Sequence, residues 1–272
     1  MEGVAAAYTI QRNISSTVMK YTLGIIFFFC IKSYAQTKAG LRVQYTMFCN
    51  TDLPLKYKTI LWIQDNESIY KEEFSTTERW EEKPTEASTF NIERLRNNEG
   101  TYLRVDNKNK TLQFFDKLSG HIILVTDTYN SFKWDVTNDT KVIAGYKCNK
   151  ATTSFRGREW IAWFTPEIPV SFGPWKLHGL PGLILECYDV TQRYRISAEG
   201  IKTETSALFS KDFKTLMVSK NKVAMPYREF LEKQEEARNN RLSSLANVPG
   251  LQIDKAEKPP RNGIELKYEW EK

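Results

Sequence analysis

The sequence predicts a mainly β fold: a strongly curved antiparallel sheet or half-open barrel, with a helix from the C-terminal third against it or near its mouth. Three observations lead there. From Leu41 to about Ile201 the chain is a succession of short segments rich in branched and aromatic residues, separated by turn residues. Several of these alternate apolar and polar positions with a period of two, as half-buried strands do. One stretch only, "MPYREFLEKQEEARNNRLSSLA", reads as a helix. A strand-dominated layer that bends or partly closes satisfies all three. Periplasmic lipoprotein carriers have a similar shape, which is an analogy of form alone.

Taken in order, the first element is a targeting segment. Met19 opens "MKYTLGIIFFFCIKSYAQ", in which Lys20 precedes an apolar run from Leu23 to Ile31 and small residues stand at Ser33 and Ala35. This is the pattern of a signal peptide over 1–35, with Met19 as the expected start and cleavage near Ala35/Gln36. The run is too short to span a bilayer, and no later segment resembles a membrane helix. A periplasmic or secreted location is therefore expected, with 36–272 as a single β-rich domain. Phe29 stands before Cys30 where a lipobox needs a small residue, so Cys30 is read as leaving with the signal.

The strands follow. In "LRVQYTMF" Leu41, Val43, Tyr45 and Met47 share one face. The further candidates are "KTILWIQD", "ESIYKEEF", "TYLRVD", "TLQFFD", "IILVTD", "VIAGYKCNKATTSF", "EWIAWF", "LILECYD" and "RYRISAEGI". "EWIAWF" has both faces apolar, with Trp160, Ala162 and Phe164 on one and Ile161 and Trp163 on the other, so it must be covered twice or line a cavity. Between strands, Trp80 to Asn98 is a long charged excursion. The helix is placed at 226–246, with Pro226 in its first turn. A tail at 249–272 follows, in which "IELKYEW" alternates and reads as an edge strand.

Charge excludes one class of partner. The chain holds 39 Lys and Arg against 33 Asp and Glu, a net charge of +6, and the basic residues are scattered, so no nucleic-acid partner is expected. With two histidines in the chain, a multi-histidine metal site is excluded. No nucleophile elbow, metalloprotease helix, phosphate loop or dinucleotide fingerprint is present, and no metal or cofactor is expected. Of the three cysteines after the signal, at most one pair can bridge. The three pairings are not separable by sequence; Cys148 with Cys187 is favoured because each lies in an apolar strand-like stretch, against three buried thiols as the alternative. A Cys148, His178 and Asp189 set would be the only thiol-based enzyme constellation.

The least ordinary segment is "GPWKLHGLPGLILECYD", Gly173 to Asp189. Pro181-Gly182 reads as the corner of a type II turn, with Gly182 taking positive φ. The loop would feed a buried strand and hold Trp175, Leu177, His178 and Leu180 at a rim. Upstream, "FRGREWIAWFTPE" reads as a hairpin turning at Gly157, with Arg158 beside Trp160 and Trp163, a pairing suited to anionic or carbohydrate-like groups.

The motif Gly179, Leu180, Pro181, Gly182, Leu183 and Ile184 resembles the signature of the GLPGLI family of exported Gram-negative proteins. The block from Ile143 to Leu185, the "YREFLEKQEEARNNRLSS" stretch and "RNGIEL" extend the resemblance over most of the chain after the signal. The resemblance implies a non-lipidated envelope protein with no assigned catalytic residues, and outer-membrane uptake receptors as partners. The expected function is a non-enzymatic envelope protein that binds an apolar small molecule or lipid or docks an outer-membrane receptor system. Trp160, Trp163, Trp175, His178, Leu180 and Arg158 are the candidate binding residues. The alternatives are a cysteine-dependent hydrolase or thiol-exchange enzyme, and a structural interaction module.

Overall fold

The computed structural model describes residues 40–52, 54–73, 102–204, 223–246 and 261–271. The signal-peptide reading over 1–35 and the excursion from Trp80 to Asn98 lie outside them. The described residues belong to the unit Ala39–Lys272.

That unit is a mainly β structure built on one open sheet. The strands are β1 (Gly40–Cys49), β2 (Leu55–Gln64), β3 (Glu67–Glu73), β4 (Tyr102–Asp106), β5 (Thr111–Leu118), β6 (His121–Asp127), β7 (Asp135–Ile143), β8 (Tyr146–Phe155), β9 (Arg158–Thr165), β10 (Leu183–Asp189), β11 (Tyr194–Glu204) and β12 (Met225–Pro226). A helix, α1 (Tyr227–Ala246), follows directly. The strand order β12-β6-β5-β4-β3-β2-β1-β11-β10-β9-β8-β7 describes two meanders, β1 to β6 and β7 to β11. They are joined where β1 pairs with β11, from Gly40 opposite Glu204 to Cys49 opposite Tyr194. All pairings are antiparallel except β12 beside β6. β7 and β12 end the sheet, so it does not close into a barrel.

Alternation places the core. Val43, Tyr45 and Met47 of β1, Leu61 and Ile63 of β2, Leu103 and Val105 of β4, and Leu112 and Phe114 of β5 are buried in one cluster. Trp160, Ala162 and Phe164 of β9 join the same cluster, and Phe230 of α1 is fully buried in it. The loop between β9 and β10 supplies Phe172, Trp175, Leu177 and Leu180. The Tyr45 hydroxyl donates to the Ile184 carbonyl at 2.8 Å, tying the sheet to the segment that leaves this loop. The inner face of the sheet is thus filled by the protein's own side chains. A smaller cluster of Ile69, Phe115 and Leu124 is buried apart from it.

Three local expectations change. "VIAGYKCNKATTSF" is two strands, because Ala144 and Gly145 both have positive φ and form the two-residue turn that joins antiparallel neighbours. The polar half of that hairpin, "DVTNDTKVI", is a strand although it lacks apolar alternation; it is a sheet edge, largely solvated. "IELKYEW" is not a strand. It is an irregular strap whose Leu266 and Lys267 amides both donate to the Arg156 carbonyl.

Candidate functional site

The hairpin turn at Arg156-Gly157 is the anchor point of the molecule. Arg156 has φ of +50°, and a Cβ on Gly157 would lie 3.0 Å from the Leu266 side chain, so the strap rests against the turn's backbone. The Arg156 guanidinium grips Asp127 at the end of β6, Nη2 donating to Oδ1 at 2.7 Å and Nη1 to Oδ2 at 3.1 Å. Nη1 also donates to Glu265 at 2.9 Å and Nε to Glu269 at 3.0 Å. From the β9–β10 loop, Lys176 reaches the same two buried carboxylates, at 2.7 Å to Asp127 and 2.8 Å to Glu265. The Tyr227 hydroxyl of α1 donates to the other oxygen of Glu265 at 2.7 Å.

Two cations and two carboxylates are therefore taken out of water together, and each charge is met by opposite charge and hydrogen bonds, as burial of ions requires. Aromatic rings close the site: Tyr268 and Trp270 lie 5.0 and 5.6 Å from the guanidinium, and Tyr227 lies 4.6 Å from the Lys176 ammonium. Burial opposes the charge on Asp127, yet Lys176 and Arg156 outweigh it and hold the carboxyl below its ordinary range. Burial and the adjacent Glu265 push the Tyr227 phenol far up, so it stays a donor. Five elements distant in sequence meet at this cluster, and its donors and acceptors are used on one another.

The residues read as a binding set are distributed differently. Trp160 is fully buried and packs 5.4 Å from Trp175. Arg158 is buried, donating to Asp189 at 2.9 Å and to the Gly263 and Ile264 carbonyls at 2.7 and 3.1 Å; it clamps the strap. Trp163 lies on the opposite face of β9, with the Lys141 ammonium 4.3 Å over its ring. His178 is buried, its Nδ1 2.9 Å from the Lys176 carbonyl and its ring 4.5 Å from Tyr129 and 5.0 Å from Phe132. Its ring also interacts with the backbone of Asn130. Burial, first, and the charge of Lys110 hold its pKa below the usual histidine value. Leu180 is 2% exposed. Trp160, Trp163, Trp175 and Leu180 thus all belong to the core, Trp163 also lying beneath Lys141, while Arg158 holds the strap.

The favoured disulfide is not formed. Cys49, Cys148 and Cys187 are free and buried. Cys148 is on β8 and Cys187 on β10 with β9 between them, and two strand spacings of about 4.8 Å exceed the roughly 7 Å Cα limit for a bridge. Burial pushes the Cys148 and Cys49 thiols up to about 11 and Cys187 higher still. At neutral pH all three remain thiols, and the thiolate is the nucleophile.

Sequence reading missed Arg156, Lys176, Asp127, Glu265 and Tyr227 as a group. A hint was present, since Lys176 stands in the otherwise apolar "GPWKLHGL" and Arg156 follows an aromatic strand end. Their acidic partners lie far off in sequence, at Asp127 and Glu265, and only the fold brings them in.

Residues 155–186 match the model of a family described as a protein of unknown function (Porph_ging), whose name corresponds to the GLPGLI motif. This segment is similar to the GLPGLI family. No curated protein matches the chain. Two solved structures of PNGF-II are similar to it. The C2 form has 17% identity and a TM-score of 0.49, covering 69% of this chain and 31% of its own. The P21 form has 16% identity and a TM-score of 0.52, covering 74% and 34%. The chain spans about a third of the length of those chains, and the likeness to the P21 form is one of fold.

The GLPGLI segment contains the three cations of the buried contacts, Arg156, Arg158 and Lys176, and the glycines that let its loop lie flat on the sheet. Gly179, not Gly182, takes the left-handed conformation, with φ of +95°. Gly182 is required for another reason: a Cβ there would sit 2.2 Å from the Thr165 carbonyl oxygen. A Cβ on Gly173 would meet Ile184 Cβ and the Leu177 carbonyl at 2.8 Å each. The motif is a close-packing device, with Leu183 and Ile184 fully buried beyond it.

Proposed function

We propose that this protein is an exported, non-enzymatic envelope protein that acts by docking a membrane-associated protein partner. The observation that carries this reading is the filling of the sheet's inner face by Phe172, Trp175, Leu177 and Leu180, all buried. A carrier keeps that face for its cargo; here the GLPGLI loop occupies it. The buried, fully protonated thiols speak in the same direction against cysteine catalysis. The family resemblance supports export and an outer-membrane receptor system as the partner.

Two measurements test it. Cell fractionation with N-terminal sequencing should find the protein in the envelope fraction, beginning near Gln36. In-cell cross-linking followed by mass spectrometry should give one recurrent membrane-associated partner. A lipid or other largely apolar ligand that brings one hydrogen-bond acceptor to the inner face is the second reading, favoured by the buried Trp160 indole N–H, which has no acceptor among the described residues. It requires tryptophan fluorescence and melting temperature to shift with a panel of lipids, where docking expects neither to move. A cytoplasmic protein with its N-terminus uncut would sink the proposal.

A further inference from the structure

The strap over 261–271 carries a second inference, which rests on the docking reading and specifies where the partner binds and by what chemistry. The strap pairs with no strand of the sheet, and the body holds it largely by groups that any backbone would satisfy. The Arg156 carbonyl, which lies in the hairpin turn between β8 and β9, accepts the Leu266 and Lys267 amides at 2.8 and 3.1 Å. Arg158 donates to the Gly263 and Ile264 carbonyls at 2.7 and 3.1 Å, and the Tyr194 hydroxyl donates to the Asn262 carbonyl at 3.3 Å. Two strap side chains, Glu265 and Tyr268, are buried. The others are half-buried or exposed.

Without the strap, the body is one carboxylate short at this place. Its buried charged side chains there are three cations, Arg156, Arg158 and Lys176, and two acids, Asp127 and Asp189. Arg158 meets Asp189, while Arg156 and Lys176 share Asp127. Glu265 of the strap supplies the third carboxylate and is bound by both Arg156 and Lys176. Tyr268 and Trp270, also of the strap, roof the Arg156 guanidinium, so lifting the strap wets the cations and strands none of them in an apolar core. The strap further holds its own shape, with Arg261 paired to Glu271 at 2.6 Å and the Tyr268 amide donating to Glu271 at 2.9 Å. In these respects it sits on the body as a ligand sits in a charged groove.

We infer that the surface under the strap is a peptide-binding site for an acidic, aromatic segment of a different protein, which the chain's own strap occupies until that partner displaces it. The incoming segment places a carboxylate where Glu265 lies, between Arg156 and Lys176, and an aromatic ring where Tyr268 lies, edge-on to Tyr227. Main-chain contacts to Arg156 and Arg158 accept any sequence, so these two side chains set the selectivity, as in other acidic-motif readers built from basic residues. A second copy of this chain is disfavoured as the occupant. The tethered strap acts at an effective concentration of about 1 mM, and an identical strap from another copy brings no added contact with which to outcompete it. A partner that also touches the body beyond the groove does.

Cutting the tether provides the test. A protease recognition sequence inserted after Ala256 lets the full chain be cleaved while every residue of the strap is kept. A fluorescent peptide of residues 261–271 should then exchange into the cut protein and bind the uncut protein at least about tenfold more weakly, because the tethered strap competes only while it is attached. Glu265→Gln or Tyr268→Ala in the peptide should each weaken its binding by about tenfold. A strap that leaves the cut protein only in denaturant, or a peptide that binds cut and uncut protein equally, overturns the inference. If the cut protein does not stay folded, amide exchange on the intact chain decides: the Leu266 and Lys267 amides should exchange at least about tenfold faster than those of Ile161 and Ala162 in β9, through opening of the strap alone, and equal rates overturn it. A dimer of the intact protein in light scattering that Glu265→Gln dissolves makes the second copy the occupant and overturns the choice of a different protein. A strap that does not exchange while cross-linking still finds an envelope partner removes this site and leaves the docking reading; no recurrent partner at all removes both.

Discussion

Arg156 and Asp127 form a two-pronged ion pair, at 2.7 and 3.1 Å, with both side chains sealed from solvent. The pair links the first meander, through the end of β6, to the hairpin of the second. Removing one partner leaves the buried cluster out of charge balance, although Lys176 still meets Asp127 and Glu265 still meets Arg156, so the loss should reach at most the roughly 3–5 kcal/mol of a fully broken buried pair. Arg156→Met and Asp127→Asn should each lower the urea midpoint and the melting temperature accordingly. The double variant should lose less than the two singles combined, because Lys176 and Glu265 then remain as a balanced pair. Additive losses in a double-mutant cycle would show that the two residues act separately.

The GLPGLI glycines separate two kinds of requirement. Gly182→Ala drives a Cβ into the Thr165 backbone at 2.2 Å, so β10 must shift from β9 and stability should fall by roughly 1–3 kcal/mol or more. Gly145→Ala meets nothing within 4 Å and suffers only from φ of +86°, about 1 kcal/mol. Denaturant titration of the two variants should rank Gly182→Ala as the more damaging. Equal losses would mean that conformation, and not close approach, explains the motif.

Much of this architecture was legible because its cause is local. Val43, Tyr45 and Met47 alternate, and the strand follows; Gly157 marks a turn, and the hairpin follows. Pro226 and the residues after it announce the helix that begins at Tyr227. β7 was illegible because an edge strand has no buried face to impress a period on "DVTNDTKVI", and Pro181-Gly182 misled because a glycine needed for proximity looks the same as one needed for positive φ. The buried cluster was illegible for a different reason. Arg156 and Asp127 are brought together by the pairing of β1 with β11, a long-range event that no spacing encodes. Trp160 and Trp175 were recognisable as important aromatics, but their burial depended on where the loop between β9 and β10 would lie.

Thiol chemistry gives a third expectation. Cys49, Cys148 and Cys187 are buried and free, with Cys148 and Cys49 pushed up to about 11 by burial. A disulfide-exchange reagent at neutral pH should label none of them within minutes in the folded protein and all three in denaturant. Melting temperature should be unchanged by reductant. Rapid labelling of Cys148 in the native state would revive the cysteine-enzyme reading.

The last expectation concerns acid. His178 is buried beside Tyr129 and Phe132, and its folded pKa lies below the unfolded value, mainly through burial. Below about pH 6.5 the unfolded chain therefore binds a proton that the folded chain refuses, so stability from this site is complete above that pH and declines as pH falls. Asp127 behaves in the same sense at lower pH: its carboxyl is held down in the folded state against the cost of burial, so its contribution is present above about pH 3.9 and is lost on further acidification. Two acid-sensitive windows should appear in urea titrations taken from pH 8 to pH 3. His178→Phe keeps the ring contacts and removes the titration, so it should flatten the upper window and leave the lower one. Asp127→Asn, measured at the same pH values, should shrink only the lower, to which Asp106 also contributes. A profile for His178→Phe identical to the parent between pH 7 and pH 5 would show that the proton is taken up elsewhere.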